Sequence, residues 1–264
     1  MKKAYPMSAL AGAANQSAMG HGRSFLIILV SAWAGLLLTG AAYALEPAGL
    51  PNATTASLAR HDKQAAQLFA METEPVAAGE LPDKWHRVEA AMTRAFAVVA
   101  QCHANARCPA VAQRLIEISA EGAGQSDRAR VGLINRAVAL AISPVSDETS
   151  WGVADHWSDP FETLLSNRGD CEDYAILKYA ALLQAGIPKD DVKIVIFKNF
   201  FPDEHHAAVA TRVDGRWLIL DNRTLTLVRD TDVQRAIPQF VLDHEGVKRF
   251  SQAARKRRFG GAQT

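Results

Sequence analysis

Two stretches, 169–188 (GDCEDYAILKYAALLQAGIP) and 206–223 (HAAVATRVDGRWLILDNR), decide how this chain folds. The first opens on a Gly-Asp turn and then runs as a helix with Ile176, Tyr179, Ala180 and Leu183 on one face. Gly186-Ile187-Pro188 ends it. The second is two strand-like runs either side of Asp214-Gly215, a strong two-residue hairpin signal. Strands are therefore expected at Val192 to Phe197, His206 to Val213 and Arg216 to Asp221, with a further one around Thr224 to Val228.

Working outward, the N-terminal side is helical. Trp85, Val88, Met92, Ala95, Phe96 and Val99 recur at helical spacing behind Pro82-Asp83. Val111, Leu115 and Ile118 follow Pro109, and Val131, Ile134, Val138 and Ile142 follow Ser126-Asp127. Trp151 to Ser166 reads as loop and a short helix. Helices first and antiparallel strands afterwards is an α+β pattern.

The chemistry is concentrated in the same two stretches. A cysteine at a helix start meets unpaired amides and the positive end of the helix dipole, which favour the thiolate. Its own amide can also face an oxyanion there. If Asp214-Gly215 is a two-residue turn, Val213 faces Arg216, Ala208 lies opposite Asp221, and His206 lies opposite Arg223. His206 and Asp221 then share a face as diagonal neighbours, with His205 on the other face. A three-residue loop would reverse that parity. Cys171, His206 and Asp221 suit nucleophile, base and orienting carboxylate, and they equally suit satisfied structural residues. Zinc on Cys171, His205 and His206 is the weaker alternative, because adjacent strand residues point apart.

Composition bounds the rest. The chain has 264 residues, 29 Lys+Arg against 28 Asp+Glu, 22% charged and 48% hydrophobic residues, and three cysteines. That excludes a disordered polyelectrolyte, a nucleic-acid binder by bulk charge and a disulfide-framework miniprotein. Lys2, Lys3 and Arg23, the apolar run Phe25 to Leu38, and Ala42-Tyr43-Ala44 read as a signal peptide over 1–44; an uncleaved anchor is the alternative. Residues 45–80 read as a flexible arm with one short helix around Ser57 to Met71, and 251–264 as a basic tail. Lys248, Arg249, Arg255, Lys256, Arg257 and Arg258 make that end cationic, so near-neutrality averages an acidic body with two basic ends. In an oxidising compartment Cys102 and Cys108 can close a small loop between the first two helices as a disulfide. Two free thiols, or a metal site with His103, are the other options.

The run Asp155-His156-Trp157, Pro160, Glu162, GDCEDYA (169–175) and Lys178-Tyr179, followed by HAAVATRVDGRWLILDNR, resembles the bacterial transglutaminase-like cysteine peptidases, over roughly Trp85 to Phe250. The resemblance implies a papain/transglutaminase-like fold over 81–250, with N-terminal helices and a nucleophile-bearing helix packed on an antiparallel sheet. It implies Cys171 as nucleophile, His206 as general base and Asp221 as the residue orienting the histidine. It also implies calcium beside the nucleophile on Asp170 and Glu172, which otherwise read as an N-cap and dipole partners. Asp173 and the Lys198 to Glu204 loop are candidates to complete the shell. The resemblance implies a periplasmic location. A large surface adhesin cut near its N-terminus is the implied substrate, and an inner-membrane signalling receptor the implied regulatory partner. Acyl transfer to an amine, or a non-catalytic calcium-stabilised binding module, are the competing functions. KNFFPDEH before His206, and Ala207-Ala208 after it, depart from the family pattern and leave substrate contacts open. Trp157 suits either a cleft wall or the core.

Overall fold

A computed structural model describes residues 67–104, 108–200, 204–253 and 255. The expected signal peptide, most of the expected arm with its short helix, and most of the basic tail lie outside the described residues. The fold is α+β, as the element order predicts. Helices α1 (Glu80–Ala104), α2 (Ala110–Ala120) and α3 (Asp127–Ala141) come first. Each buries most of its predicted stripe: Trp85, Val88, Met92, Ala95 and Val99; Leu115 and Ile118, with Ala112 buried where Val111 was expected; Val131, Ile134 and Val138. Strand β2 (Ser143–Pro144), helix α4 (Asp147–Trp151), helix α5 (Pro160–Ser166) and strand β3 (Arg168–Gly169) lead into α6 (Cys171–Gln184). Every residue of α6 from Asp173 to Leu182 is buried, so it is the central helix and not a surface one.

The remaining strands are β1 (Thr73–Pro75), β4 (Val192–Asn199), β5 (His205–Val213), β6 (Arg216–Leu220), β7 (Val228–Arg229), β8 (Ala236–Asp243) and β9 (Gly246–Phe250). They form one antiparallel sheet in the order β1-β9-β8-β4-β5-β6-β7. One face packs on α6 through Ile194, Ile196, Ala207, Val209 and Leu242, in the same core as the stripes of α1 to α3. The other face gathers Val195, Phe197, Ala208, Ala210, Trp217 and Val241.

Three expectations need correction. The arm predicted over 45–80 is ordered from residue 67 onward: Leu68, Phe69 and Met71 are buried on the second face of the sheet, and β1 pairs with β9. Phe69 stacks edge-on with Phe197 and Phe250 at 5.8 and 5.7 Å, and its N–H donates to Asp230 Oδ2 at 2.6 Å. These contacts hold it at φ 58, an uncommon conformation for a residue with a side chain. No period announces such a segment, because it inserts individual side chains and presents no regular face. Second, the strand expected over Thr224 to Val228 shrinks to Val228–Arg229. Third, β8 and β9 were not foreseen. Pro238 breaks the strand reading, yet it sits where a bulge separates the pairs Ile196↔Phe240 and Phe197↔Pro238. There β9, which starts pairing at Phe240, does not flank it. Lys248 and Arg249, two of the cationic residues near this end, belong to β9, within the expected 81–250 domain.

Cys102 and Cys108 are joined as a disulfide, tying the end of α1 to the start of α2. Among the described residues no helix is long and apolar enough to cross a membrane. Phe69→Ala is expected to cost about 3–5 kcal/mol in urea unfolding. A loss under about 1 kcal/mol would show that this segment does not belong to the core.

Candidate active site

Cys171 reaches its place by a sequence of local devices. Asp159 caps α5, accepting from the N–H groups of Phe161 and Glu162 at 2.8 and 3.1 Å, with Pro160 at the first helical position. Asn167 ends that helix in the left-handed region at φ 56. Two residues of β3 then pair in parallel with β2 and deliver the chain to Cys171, the first residue of α6. Gly169 is required by close approach: a Cβ there would lie 2.5 Å from Asp173 Cβ and 2.6 Å from its Oδ2. Cys171 is the one free cysteine.

His206 and Asp221 come from the predicted hairpin. Asp214 and Gly215 have φ of 50 and 73, a two-residue turn with both central residues left-handed. The pairs run from Val213↔Arg216 to Val209↔Leu220, the register read from the sequence. Beyond the last pair, His206 Nε2 and Asp221 Oδ1 meet at 2.9 Å. His206 is 3% exposed, whereas His205 is exposed. The Nδ1 atom of His206 is buried and has no hydrogen-bond partner. Burial pushes the Asp221 carboxyl up, but the bond and charge of His206 and the Arg223 N–H outweigh it and hold the group below the usual carboxylate range.

Cys171 and His206 line one cleft of about 480 Å³, together with Trp157, Ile196, Ala207 and Phe240. Trp157 answers to both of its readings: it lines the cleft and packs, half-buried, against the main core. No hydrogen bond joins the thiol to the imidazole. The thiol donates instead to Glu172 Oε2 at 2.9 Å. Burial, and then the Glu172 carboxylate, push the thiol well above its ordinary value, opposed by the backbone amide of Ala207.

Around the helix start lies a nest of carboxylates wider than the pair read from the sequence. Asp147, Asp170 and Asp173 each offer an oxygen within 4.8 Å of the others, and so do Asp147, Asp155 and Glu172. Asp147 Oδ1, Asp170 Oδ1 and Asp173 Oδ2 are buried without a partner. Burial first pushes Asp170 up to about 8, with Glu172 adding to it, and burial also pushes Asp173 up to about 8. Asp170 occupies the N-cap position but makes no capping bond with its side chain, so capping does not explain it. Orphaned, buried carboxylate oxygens fit a hard divalent cation such as calcium. No histidine belongs to any such cluster among the described residues, which leaves zinc without its expected ligands. Glu204, from the loop proposed to complete the shell, pairs instead with Arg223 at 2.5 Å. Asp147 was missed because nothing in its sequence surroundings marks it. Asp155 stood in the resemblance run, but its place in the cluster is a tertiary fact.

A family model described as bacterial transglutaminase-like cysteine proteinase matches residues 91–235. No curated protein matches the chain. Among solved structures, the chain is similar to calcium-bound LapG of Legionella pneumophila, with 18% identity and a TM-score of 0.46, covering 61% of this chain and 88% of that one. The EGTA-treated form of the same protein gives 19% identity and a TM-score of 0.47, covering 60% and 86%. A structure described as a TGase gives 20% identity and a TM-score of 0.33, covering 42% and 30%.

Gly169→Ala is expected to displace Asp173 from the Ser158 N–H, which it accepts at 2.9 Å, and to lower stability by about 1–3 kcal/mol in thermal unfolding. An unchanged melting temperature would contradict the close packing at this turn.

Proposed function

The chain belongs to the bacterial transglutaminase-like cysteine proteinases, and on that premise we propose that it is a calcium-dependent periplasmic endopeptidase using Cys171, His206 and Asp221. The observation that carries this reading is the 2.9 Å bond from Asp221 to His206, a residue that lines the same cleft as the single free thiol at a helix N-terminus.

In the proposed reaction His206 Nδ1, the ring nitrogen left open by Asp221, takes the Cys171 proton as Sγ attacks a substrate carbonyl. The amide of Cys171, at the open end of α6, faces the oxyanion. Collapse breaks the C–N bond, and His206 returns the proton to the leaving amine. Water, deprotonated by His206, then attacks the thioester carbonyl and releases the new carboxyl terminus and the thiol. Asp221 fixes the imidazole and offsets its positive charge throughout.

Asp147, Asp155, Asp170, Glu172 and Asp173 are the residues that would hold calcium. A bound ion would supply positive charge to offset that of the nest and to draw on the Glu172 carboxylate that now accepts from the thiol. The five acids keep the first turn of α6 in place only if their mutual repulsion is offset. The substrate is proposed to be a large surface adhesin, cut near its N-terminus, and an inner-membrane signalling receptor is proposed to sequester the enzyme. Residues 1–44 are proposed as the export signal, 81–250 as the peptidase domain and 251–264 as a basic tail.

Incubation with adhesins exported by the same cells should yield new N-termini with the unaltered protein and none with Cys171→Ala. His206→Ala should lower kcat about 10²–10⁴-fold. Isopeptide crosslinks in place of new termini would assign acyl transfer, and cleavage by Cys171→Ala would overturn the mechanism. Calcium at about a hundredfold excess over its dissociation constant should add about 2.7 kcal/mol of stability, a rise of about 5–10 °C in melting temperature. Asp173→Asn should abolish that rise. An equal melting temperature in calcium and in EGTA would contradict the site.

A further inference from the structure

Lys178 is a buried ionisable group close to the proposed triad that the reaction above does not use. It lies about two turns beyond Cys171 on α6, on the same side of the helix. It is 1% exposed, surrounded by residues of the main core. Its Nζ donates to the carbonyl of Leu220 at 3.3 Å, the last residue of β6 and the one immediately before Asp221. The same Nζ stands 5.9 Å from the centre of the Tyr174 ring, whose hydroxyl is taken up by the Ile142 carbonyl at 2.8 Å.

A buried ammonium is costly, and leucine or methionine would fill such a position in a helix core without that cost. One carbonyl bond and one ring face do not replace the water an ammonium loses. What the position adds is charge. Burial draws Lys178 down to about 8, while the negative charge of Asp221 acts in the opposite sense. Asp221 bonds the His206 imidazole and accepts from the Arg223 N–H at 2.9 Å, with the charge of Arg223 also acting on it, and the Lys178 ammonium sits on the carbonyl of the residue just before it.

We infer that Lys178 is a positioning residue for the peptidase reaction, its ammonium anchoring the end of β6 and holding Asp221 ionised so that Asp221 orients His206. One helix then carries both the nucleophile and the counter-charge of the carboxylate at the far end of the triad. This inference rests on the triad reading of the preceding section.

Alkylation of Cys171 by iodoacetamide tests it without a known substrate, because no other free thiol competes. Rates are measured at mildly acidic pH in calcium for the full chain, Lys178→Met, Asp221→Asn and the double variant, with circular dichroism to confirm folding. Lys178→Met is expected to slow alkylation about tenfold, and to cause no further loss in the Asp221→Asn background, since it acts through Asp221. A merely structural role would lower the rate by the same factor in both backgrounds and would overturn the inference, as would an unchanged rate in Lys178→Met. Lys178→Gln keeps a donor for Leu220 without the charge. It should fall with Lys178→Met, serves in its place if that variant does not fold, and overturns the claim if it restores the full rate. If Asp221→Asn alone leaves alkylation unchanged, the triad reading fails; if Asp221→Asn slows it and the Lys178 variants do not, only the present inference fails.

Discussion

Helix α6 is enclosed on every side from Asp173 to Leu182, between α1 to α3 on one flank and the sheet on the other. A helix held this way cannot shift to relieve strain at its ends, so whatever the sequence puts in its first turn must stay there. It puts a thiol there with acidic residues on both sides of it, and Asp147 and Asp155 arrive from α4 and the loop after it. The helix dipole and open amides favour negative charge at this end, but only about half a unit of it. The nest exceeds that, and the balance of charge at the start of α6 governs both the stability of the loop and the state of the thiol.

The two halves of the site are built by different physics. Cys171 is positioned by packing, through a helix whose register is fixed by its burial and by the turn at Gly169. His206 and Asp221 are positioned by backbone pairing, through a hairpin whose two-residue turn leaves only one parity. Between them lies the cleft. Without compensating charge, the thiol keeps its proton and donates it to Glu172, and burial makes the neutral thiol the favoured form. The proposed enzyme therefore needs cations at both ends of the triad: one among the carboxylates of the nest, and the ammonium of Lys178 behind Asp221.

How much of this was legible follows from whether each feature is local. The hairpin was legible because Asp214-Gly215 is a local turn signal and strand alternation carries the parity out to His206. The helices were legible because Trp85, Leu115 and Ile134 each belong to a stripe of helical period. The free status of Cys171 followed from the short spacing of the other two cysteines. Phe69, Asp147 and Asp155 were not legible in their roles: each acts as a single residue at a tertiary contact, with no period and no neighbours to mark it. Strands β8 and β9 were hidden by Pro238, whose bulge is a property of the pairing with β4 and not of the run itself. Lys178 stood in plain view within a recognisable run, but its burial beneath Asp221 exists only once α6 is laid on β5 and β6.

The central claim is that the thiol of Cys171 is activated by His206. The most direct test titrates the ultraviolet absorbance of the thiolate against pH in calcium, for the unaltered chain and for His206→Ala. A thiolate is expected well below the ordinary cysteine range in the unaltered chain, displaced to or above that range when the imidazole is removed. Superimposable curves for the two proteins would contradict it.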